Sequence, residues 1–319
     1  MTPPELPPQI RERTIAKART LIEALPFMQE HRGKVVVIKY GGAAMERAPL
    51  SRSFGEDVSL LQHAGIHPVI VHGGGPQVSE VSQRLGLEPR FVDGVRVTDE
   101  ATLEVATMVL AGSVNTRIVS RLVAGDVPAV GLSGVDGGLT IAERRTEPDL
   151  GLVGEIVRVD GGLLRTLIAK GFVPVVASIA AGLDGATYNV NADVMAAELA
   201  VGLDAEKLVY MNDVPGVIAP NGDLLSELGV QEVLDLLAHP DAVGGGMIPK
   251  LESAVRALKA GVPRVHLLDG RVEHALVLEL FTPEGVGTMI ALDAPGGGVA
   301  EGANADARAV VPPHGRVGL

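Results

Sequence analysis

An α/β fold of parallel βαβ layers is predicted by three features of this chain. Short Val-rich runs recur, helical stretches alternate with them, and forty glycines punctuate both, while aromatics make up only 3% of the 319 residues and bear on the core instead. With no Trp, the core has to be built from Val, Leu, Ile and Ala. The length suits two domains or one large α/β unit.

The elements follow in order. Between Ile10 and Phe27, residues Ile15, Ala18, Leu21, Ile22 and Leu25 share one helical face, with Arg11, Glu12, Lys17 and Glu23 elsewhere. Polar residues separate this arm (1–32) from the first strand, so it covers either its own domain or a neighbouring subunit. A strand over Val35 to Ile38 ends in Lys39-Tyr40-Gly41-Gly42, and a helix over Arg52 to Ala64 is stopped by Gly65. The next strand, Pro68 to Val71, ends in His72-Gly73-Gly74-Gly75, and Pro76 opens a helix reaching Gly86. A right-handed crossover puts both glycine loops at the carboxyl edge of neighbouring strands. Phe91 to Val97 reads as a strand pair or hairpin, and a long helix starts after Thr98 with Asp99 and Glu100 in its first turn.

Further strands are expected at Ala129 to Leu132, Leu139 to Ala142, Val173 to Ile179 and Lys207 to Met211. A helix follows Asn189-Val190-Asn191-Ala192-Asp193, and another spans Val230 to Leu237. The loop Gly244-Gly245-Gly246-Met247-Ile248-Pro249-Lys250 delivers a lysine to a helix start, with that helix ending near Gly261. Strand Val265 to Leu268, helix Val272 to Phe281 and closing strand Val286 to Ile290 complete the domain. The segment 294–319 is rich in Gly, Ala and Pro without apolar period, the composition of a disordered tail.

Composition excludes several functions. A net charge of -12 without a Lys/Arg run disfavours nucleic acid as a partner, so anionic substrates have to be met by a few placed cations. Zero Cys removes disulfides, thiolate zinc sites and cysteine nucleophiles, in keeping with a reducing cytoplasm. No apolar stretch reaches membrane-spanning length and the proline-rich start lacks a signal-peptide core. Gly33-Lys34 is followed by Val35, which breaks the P-loop pattern, and Val78 occupies the third glycine position after Gly73 and Gly75, which breaks the dinucleotide fingerprint. There is no Gly-x-Ser-x-Gly elbow. His63 and His67 have helical spacing but lack a zincin glutamate, and Gly65 interrupts the turn, so no protein-held metal is expected. What remains is a pair of strand-end glycine loops whose N–H groups can approach a phosphate, the outline of a phosphoryl-transfer site.

The ordered set Lys39-Tyr40-Gly41-Gly42, His72-Gly73-Gly74-Gly75, Gly94-Val95-Arg96-Val97-Thr98, Asn189-Val190-Asn191-Ala192-Asp193, Asn212-Asp213-Val214-Pro215-Gly216 and Gly246-Met247-Ile248-Pro249-Lys250 resembles the acetylglutamate kinases of the amino acid kinase family over about Lys34 to Leu292. The resemblance implies a three-layer αβα sandwich around a mainly parallel sheet. It implies an N-terminal lobe (33–185) for acetylglutamate binding and dimerisation, and a C-terminal lobe (186–293) for ATP and an arginine effector. The implied reaction moves the γ-phosphoryl of ATP onto the γ-carboxylate of N-acetyl-L-glutamate in arginine biosynthesis. By match to the family, Lys39 and Lys250 straddle the phosphoryl group, Asp193 holds both lysines, and Gly41, Gly42, Gly73 and Gly74 supply backbone donors. Arg96 clamps the substrate carboxylate and Asn189 hydrogen-bonds it. Asn191 either joins Asn189 or caps the next helix, and Asp213 resembles a nucleotide contact. Magnesium is implied as part of MgATP, held by phosphates and water.

The run His274-Ala275-Leu276-Val277-Leu278-Glu279-Leu280-Phe281-Thr282-Pro283-Glu284-Gly285-Val286-Gly287-Thr288 is similar to the C-terminal signature of arginine-inhibited members, which also carry an N-terminal helix linking three dimers into a hexamer. The resemblance implies L-arginine as inhibitor, with Lys207, His274, Glu279 and Gly287 around it. Another acceptor (glutamate, aspartate, carbamate or a nucleotide) and a non-catalytic arginine sensor are the alternatives. The residues do not decide whether a nitrogen-signalling protein docks on the ring.

Overall fold

A computed structural model describes residues 8–219, 221–239 and 246–292. The tail expected over 294–319, and Gly244 and Gly245 of the third glycine loop, lie outside them. Helix α1 (Pro8–His31) leads into β1 (Val35–Tyr40), the short α2 (Ala43–Glu46), α3 (Ala48–His63), β2 (His67–His72) and α4 (Gly75–Arg84). A hairpin of β3 (Phe91–Val92) and β4 (Val95–Arg96) precedes α5 (Glu100–Thr107). A π-helical segment, Met108–Val114, joins α5 to α6 (Asn115–Ala124).

Then come β5 (Ala129–Ser133), β6 (Thr140–Arg144), β7 (Gly154–Val159), α7 (Gly162–Ala169), β8 (Val173–Ala177), β9 (Ile179–Gly182), β10 (Thr187–Asn189) and α8 (Ala192–Gly202). The chain continues through β11 (Lys207–Asn212), β12 (Glu227–Gly229), α9 (Val230–Ala238), α10 (Ile248–Lys259), β13 (Arg264–Asp269), α11 (Ala275–Phe281) and β14 (Thr288–Ala291).

Eight strands form the central sheet in the order β12-β14-β13-β11-β1-β2-β8-β5. All neighbours pair in parallel except β13 with β14, so the expected closing strand runs against its partner, with the unexpected β12 beside it. The two-residue period of β1 explains the layering. Val37 joins a core under α8 and α10, whereas Val36, Ile38 and Tyr40 join a second core under α3, the α5–α6 rod and α11. Each fully buried Val, Ile or Leu stabilises by roughly 1.5–3 kcal/mol. The sandwich is therefore αβα, as predicted.

Differences from the sequence reading have local causes. The expected strand Val173 to Ile179 divides at Ser178, after which β9 belongs to a second sheet ordered β10-β9-β6-β7. Strand β7 was not predicted because it is mostly exposed and presents no apolar run. The long helix after Thr98 is continuous but passes through the π segment. On α1, Leu21 and Ile22 stay 71% and 67% exposed, while Ala24, Phe27 and Met28 pack on the core. Among the described residues no helix is long and apolar enough to cross a membrane.

Candidate active site

The parallel strands β11, β1, β2 and β8 all end at one edge of the sheet, and a cleft of about 390 Å³ opens there. Both glycine loops line it, together with Lys39, Arg96, Asn189, Asn191, Asp193 and Asp213. Gly42 takes a left-handed φ of 62°, and a Cβ at that position would collide with the Asp213 carboxylate. At Gly74 a Cβ would lie 2.8 Å from Leu110 Cδ2 of the π segment. At Gly42 and Gly74 a side chain is excluded because other elements press against the loops.

Asp193 is the meeting point of the two lysines. It sits in the first turn of α8, where the helix dipole favours a carboxylate, and Asn191 Oδ1 caps that helix by accepting from Asp193 N at 2.7 Å. Lys39 Nζ lies 3.2 Å from Asp193 Oδ1, and Lys250 Nζ donates to Oδ2 at 2.6 Å. Burial pushes the Asp193 carboxyl upward, but the two ammonium groups outweigh it and hold the group below the usual carboxylate range. Lys39 arrives from the end of β1 and Lys250 from the start of α10, so elements far apart in sequence close on one carboxylate.

Arg96 is 7% exposed. Its Nη2 donates to Gly75 O at 2.8 Å and to Ser79 Oγ at 2.7 Å, and its guanidinium carbon stands 4.7 Å from the Phe91 ring centre. Its Nη1 is buried without a hydrogen-bond partner among the described residues. A buried donor left open in a cleft wall suits an anionic ligand group. Asn189 donates to Thr98 Oγ1 at 3.2 Å and lines the same wall. Of the two readings for Asn191, the cap is the one its Oδ1 fulfils.

Of the three acids lining the cleft, Glu46, Asp193 and Asp213, Asp193 is taken by two lysines and Glu46 Oε1 accepts from Gln77 Nε2 at 3.1 Å. The group among the described residues with metal-ligand spacing is Glu30, His31 and Glu206, at the foot of α1.

A second polar cluster lies beneath α11. Glu279 Oε1 accepts from His266 Nδ1 at 2.6 Å, while Glu279 Oε2 accepts from the N–H groups of Val286 at 2.8 Å and Gly287 at 3.2 Å. Lys207 Nζ stands 3.4 Å from His266 Nε2. Burial pushes the Lys207 ammonium down to about 8. Glu279 is pushed up by burial but held below its ordinary value by His266 and the two amides.

The structure brings Lys207, Glu279 and Gly287 together and sets His274 apart from them, a correction to the expected grouping. His274 caps the start of α11 in a left-handed conformation, so its ring turns to α3, where Nδ1 bonds Asp57 Oδ1 at 2.7 Å and the backbone N donates to Ser53 Oγ at 2.6 Å. The histidine beside Glu279 is His266, which sequence reasoning missed. A histidine set between Val265 and the apolar pair Leu267-Leu268 was the available signal, because a buried imidazole requires a partner.

Residues 34–269 match the model of the amino acid kinase family. The acetylglutamate kinase of Symbiobacterium thermophilum is 50% identical over 290 residues, covering 88% of this chain and 99% of that protein. That of Aquifex aeolicus is 47% identical over 295 residues, with 88% and 99% covered. Among solved structures, an N-acetylglutamate synthase from Neisseria gonorrhoeae, in complex with coenzyme A and N-acetyl-glutamate, superposes with a TM-score of 0.78 at 32% identity. The match covers 87% of this chain and 64% of that longer one. A carbamate kinase from Giardia lamblia, at 17% identity and a TM-score of 0.60, shares the fold. The chain belongs to the amino acid kinase family, within its acetylglutamate kinase branch.

Proposed function

We propose that this protein transfers the γ-phosphoryl of ATP to the γ-carboxylate of N-acetyl-L-glutamate, the kinase step of arginine biosynthesis, under feedback by L-arginine. The observation that carries the catalytic part is the pair Lys39 and Lys250 on opposite oxygens of Asp193, with Lys39 and Asp193 lining the cleft beside both glycine loops. Both reactants are anions, so their approach is opposed by repulsion. An ammonium about 4 Å from a unit negative charge offsets on the order of 4 kcal/mol at surface-like dielectric, and two of them meet that requirement. In the step itself a carboxylate oxygen bonds to the γ-phosphorus, the bond to the bridging oxygen breaks, and ADP leaves with that electron pair. Gly41, Gly42, Gly73 and Gly74 are assigned backbone donation to the phosphoryl oxygens, and Asp193 the holding of both lysines.

Arg96 is assigned the acceptor's carboxylate because its Nη1 is buried and open in the cleft wall. Asn189 is assigned a hydrogen bond to the same molecule, with Asn191 framing the site as a cap. Asp213 is assigned to the nucleotide, from its place at the end of β11. In this reading residues 33–185 carry the dimer contact and the acceptor, which Asn189 also reaches from the start of the second lobe, and residues 186–293 carry ATP and the effector.

For arginine, the Glu279 carboxylate of the cluster under α11 is assigned to a guanidinium and the Lys207 ammonium to a carboxylate, with Gly287, whose N–H donates to Glu279, beside them and His266 in place of His274. The effector acts by favouring a lobe arrangement that the substrates disfavour. The exposed apolar face of α1, with Ile15, Leu21, Ile22 and Leu25, is assigned to pairing with a second copy, giving a hexamer of three dimers.

A coupled assay for ADP release tests the reaction. Turnover with N-acetyl-L-glutamate well above that with glutamate, aspartate or carbamate supports the reading. Equal turnover with free glutamate contradicts it. Arginine binding with no turnover on any acceptor favours the sensor alternative.

A further inference from the structure

We infer that His72 and Asn115 are positioning residues that aim the Gly74 N–H into the cleft, a role resting on the kinase reading above. Neither residue lines the cleft, and both are buried, His72 completely and Asn115 to within 4%. Asn115 is the first residue after the π segment, and its side chain spans three strands. Its Nδ2 donates its two hydrogens to the nearest acceptors, Val175 O of β8 at 2.9 Å and His72 Nε2 at the end of β2 at 3.0 Å, with Leu132 O of β5 at a longer 3.3 Å. Two carbonyls facing the amide decide which end of Asn115 is nitrogen, since an oxygen turned toward them would be repelled.

With Nε2 accepting from Asn115, the His72 ring carries its proton on Nδ1. That nitrogen stands 2.9 Å from Gly73 O and donates to it. The Gly73 carbonyl and the Gly74 N–H belong to one trans peptide plane and point in opposite directions. Fixing the carbonyl toward His72 therefore turns the Gly74 N–H away from the ring, and Gly74 lines the cleft. No acceptor among the described residues takes that N–H. The π segment contributes independently, as Leu110 and Val114 close on Gly74 and leave no room for a Cβ. An irregular turn, a buried amide and a tautomer thus converge on a single peptide.

Histidine substitutions separate this role from plain packing. Asparagine at position 72 places an N–H near the Nδ1 site, whereas glutamine, closer in size to histidine, reaches toward Asn115 and leaves Gly73 O unbonded. Steady-state kinetics should show His72→Asn within about five-fold of wild-type kcat. His72→Gln and Asn115→Asp should fall about thirty-fold or more, with KM for acetylglutamate and ATP changed less than about three-fold. Asn115→Asp acts by accepting from Nε2 and reversing the tautomer. His72→Gln as active as His72→Asn, or losses confined to KM, would overturn the inference.

Should these variants fail to fold, nitrogen NMR of the histidine-labelled wild-type protein gives the answer without them. The expected ring has its proton on Nδ1 throughout about pH 5.5–8, and a proton on Nε2 would overturn the role. Absence of wild-type turnover with acetylglutamate would remove the kinase reading while leaving the NMR result independent of it.

Discussion

Lys250 Nζ donates to Asp193 Oδ2 at 2.6 Å, joining the first turn of α10 to the first turn of α8. The contact orients a cation that would otherwise be a mobile surface charge. Asp193 is 6% exposed and already faces Lys39, so removing its charge leaves two ammonium groups facing each other. Asp193→Asn is expected to lower kcat by about 10²-fold or more with a smaller change in KM for either substrate, measured by steady-state kinetics.

Arg96→Lys should raise KM for acetylglutamate by about ten-fold or more and leave KM for ATP within about two-fold. A single ammonium cannot both bond Gly75 O and Ser79 Oγ and present a second N–H group in the guanidinium plane. Unchanged KM for acetylglutamate would remove Arg96 from the acceptor site.

The pH dependence of stability follows from His72. Burial pushes its pKa down to about 4, partly opposed by the bond to Gly73. A histidine whose folded pKa lies below its unfolded value of 6.5 is neutral in the native state while the unfolded chain takes up protons first. Its contribution is complete above about pH 6.5 and is lost as pH falls toward 4, on the order of 3 kcal/mol in all. Urea denaturation across this window should show the wild type losing stability more steeply than His72→Asn. Parallel slopes would contradict the assigned burial.

Glu279→Gln is expected to weaken arginine inhibition at least about ten-fold while leaving uninhibited kcat within about two-fold, because Glu279 lies outside the cleft. His274→Ala, whose ring faces Asp57, should affect inhibition less than His266→Ala. The reverse order would reinstate His274 in the effector site.

The exposed pair Leu21 and Ile22 offers a test of assembly without truncating the chain. Leu21→Asp with Ile22→Asp should convert hexamers to dimers in sedimentation velocity, since neither side chain packs on its own core. Hexamers persisting in the double variant would leave the arm without its assigned role.

Much of this arrangement was legible before the fold was known, for identifiable reasons. Val36, Val37 and Ile38 are buried on both faces of the sheet and therefore form a continuous apolar run, and the glycines after them mark where the strand meets the cleft. Lys39 and Lys250 stood out because each accompanies such a loop. What escaped were features set by tertiary contact alone. The π segment has an unremarkable sequence, β7 has too little burial to show a period, and His266 and Asn115 acquire meaning only from partners on distant strands. His274 was misplaced because sequence proximity to Glu279 says nothing of the left-handed cap that turns its ring to α3.

The most direct test of the two-lysine mechanism is the kcat of Lys250→Ala, read beside its arginine affinity by calorimetry. The expected result is a fall in kcat of about 10²-fold or more with KM values within about three-fold and arginine binding retained. Turnover equal to wild type would show that the cation on Asp193 takes no part in phosphoryl transfer.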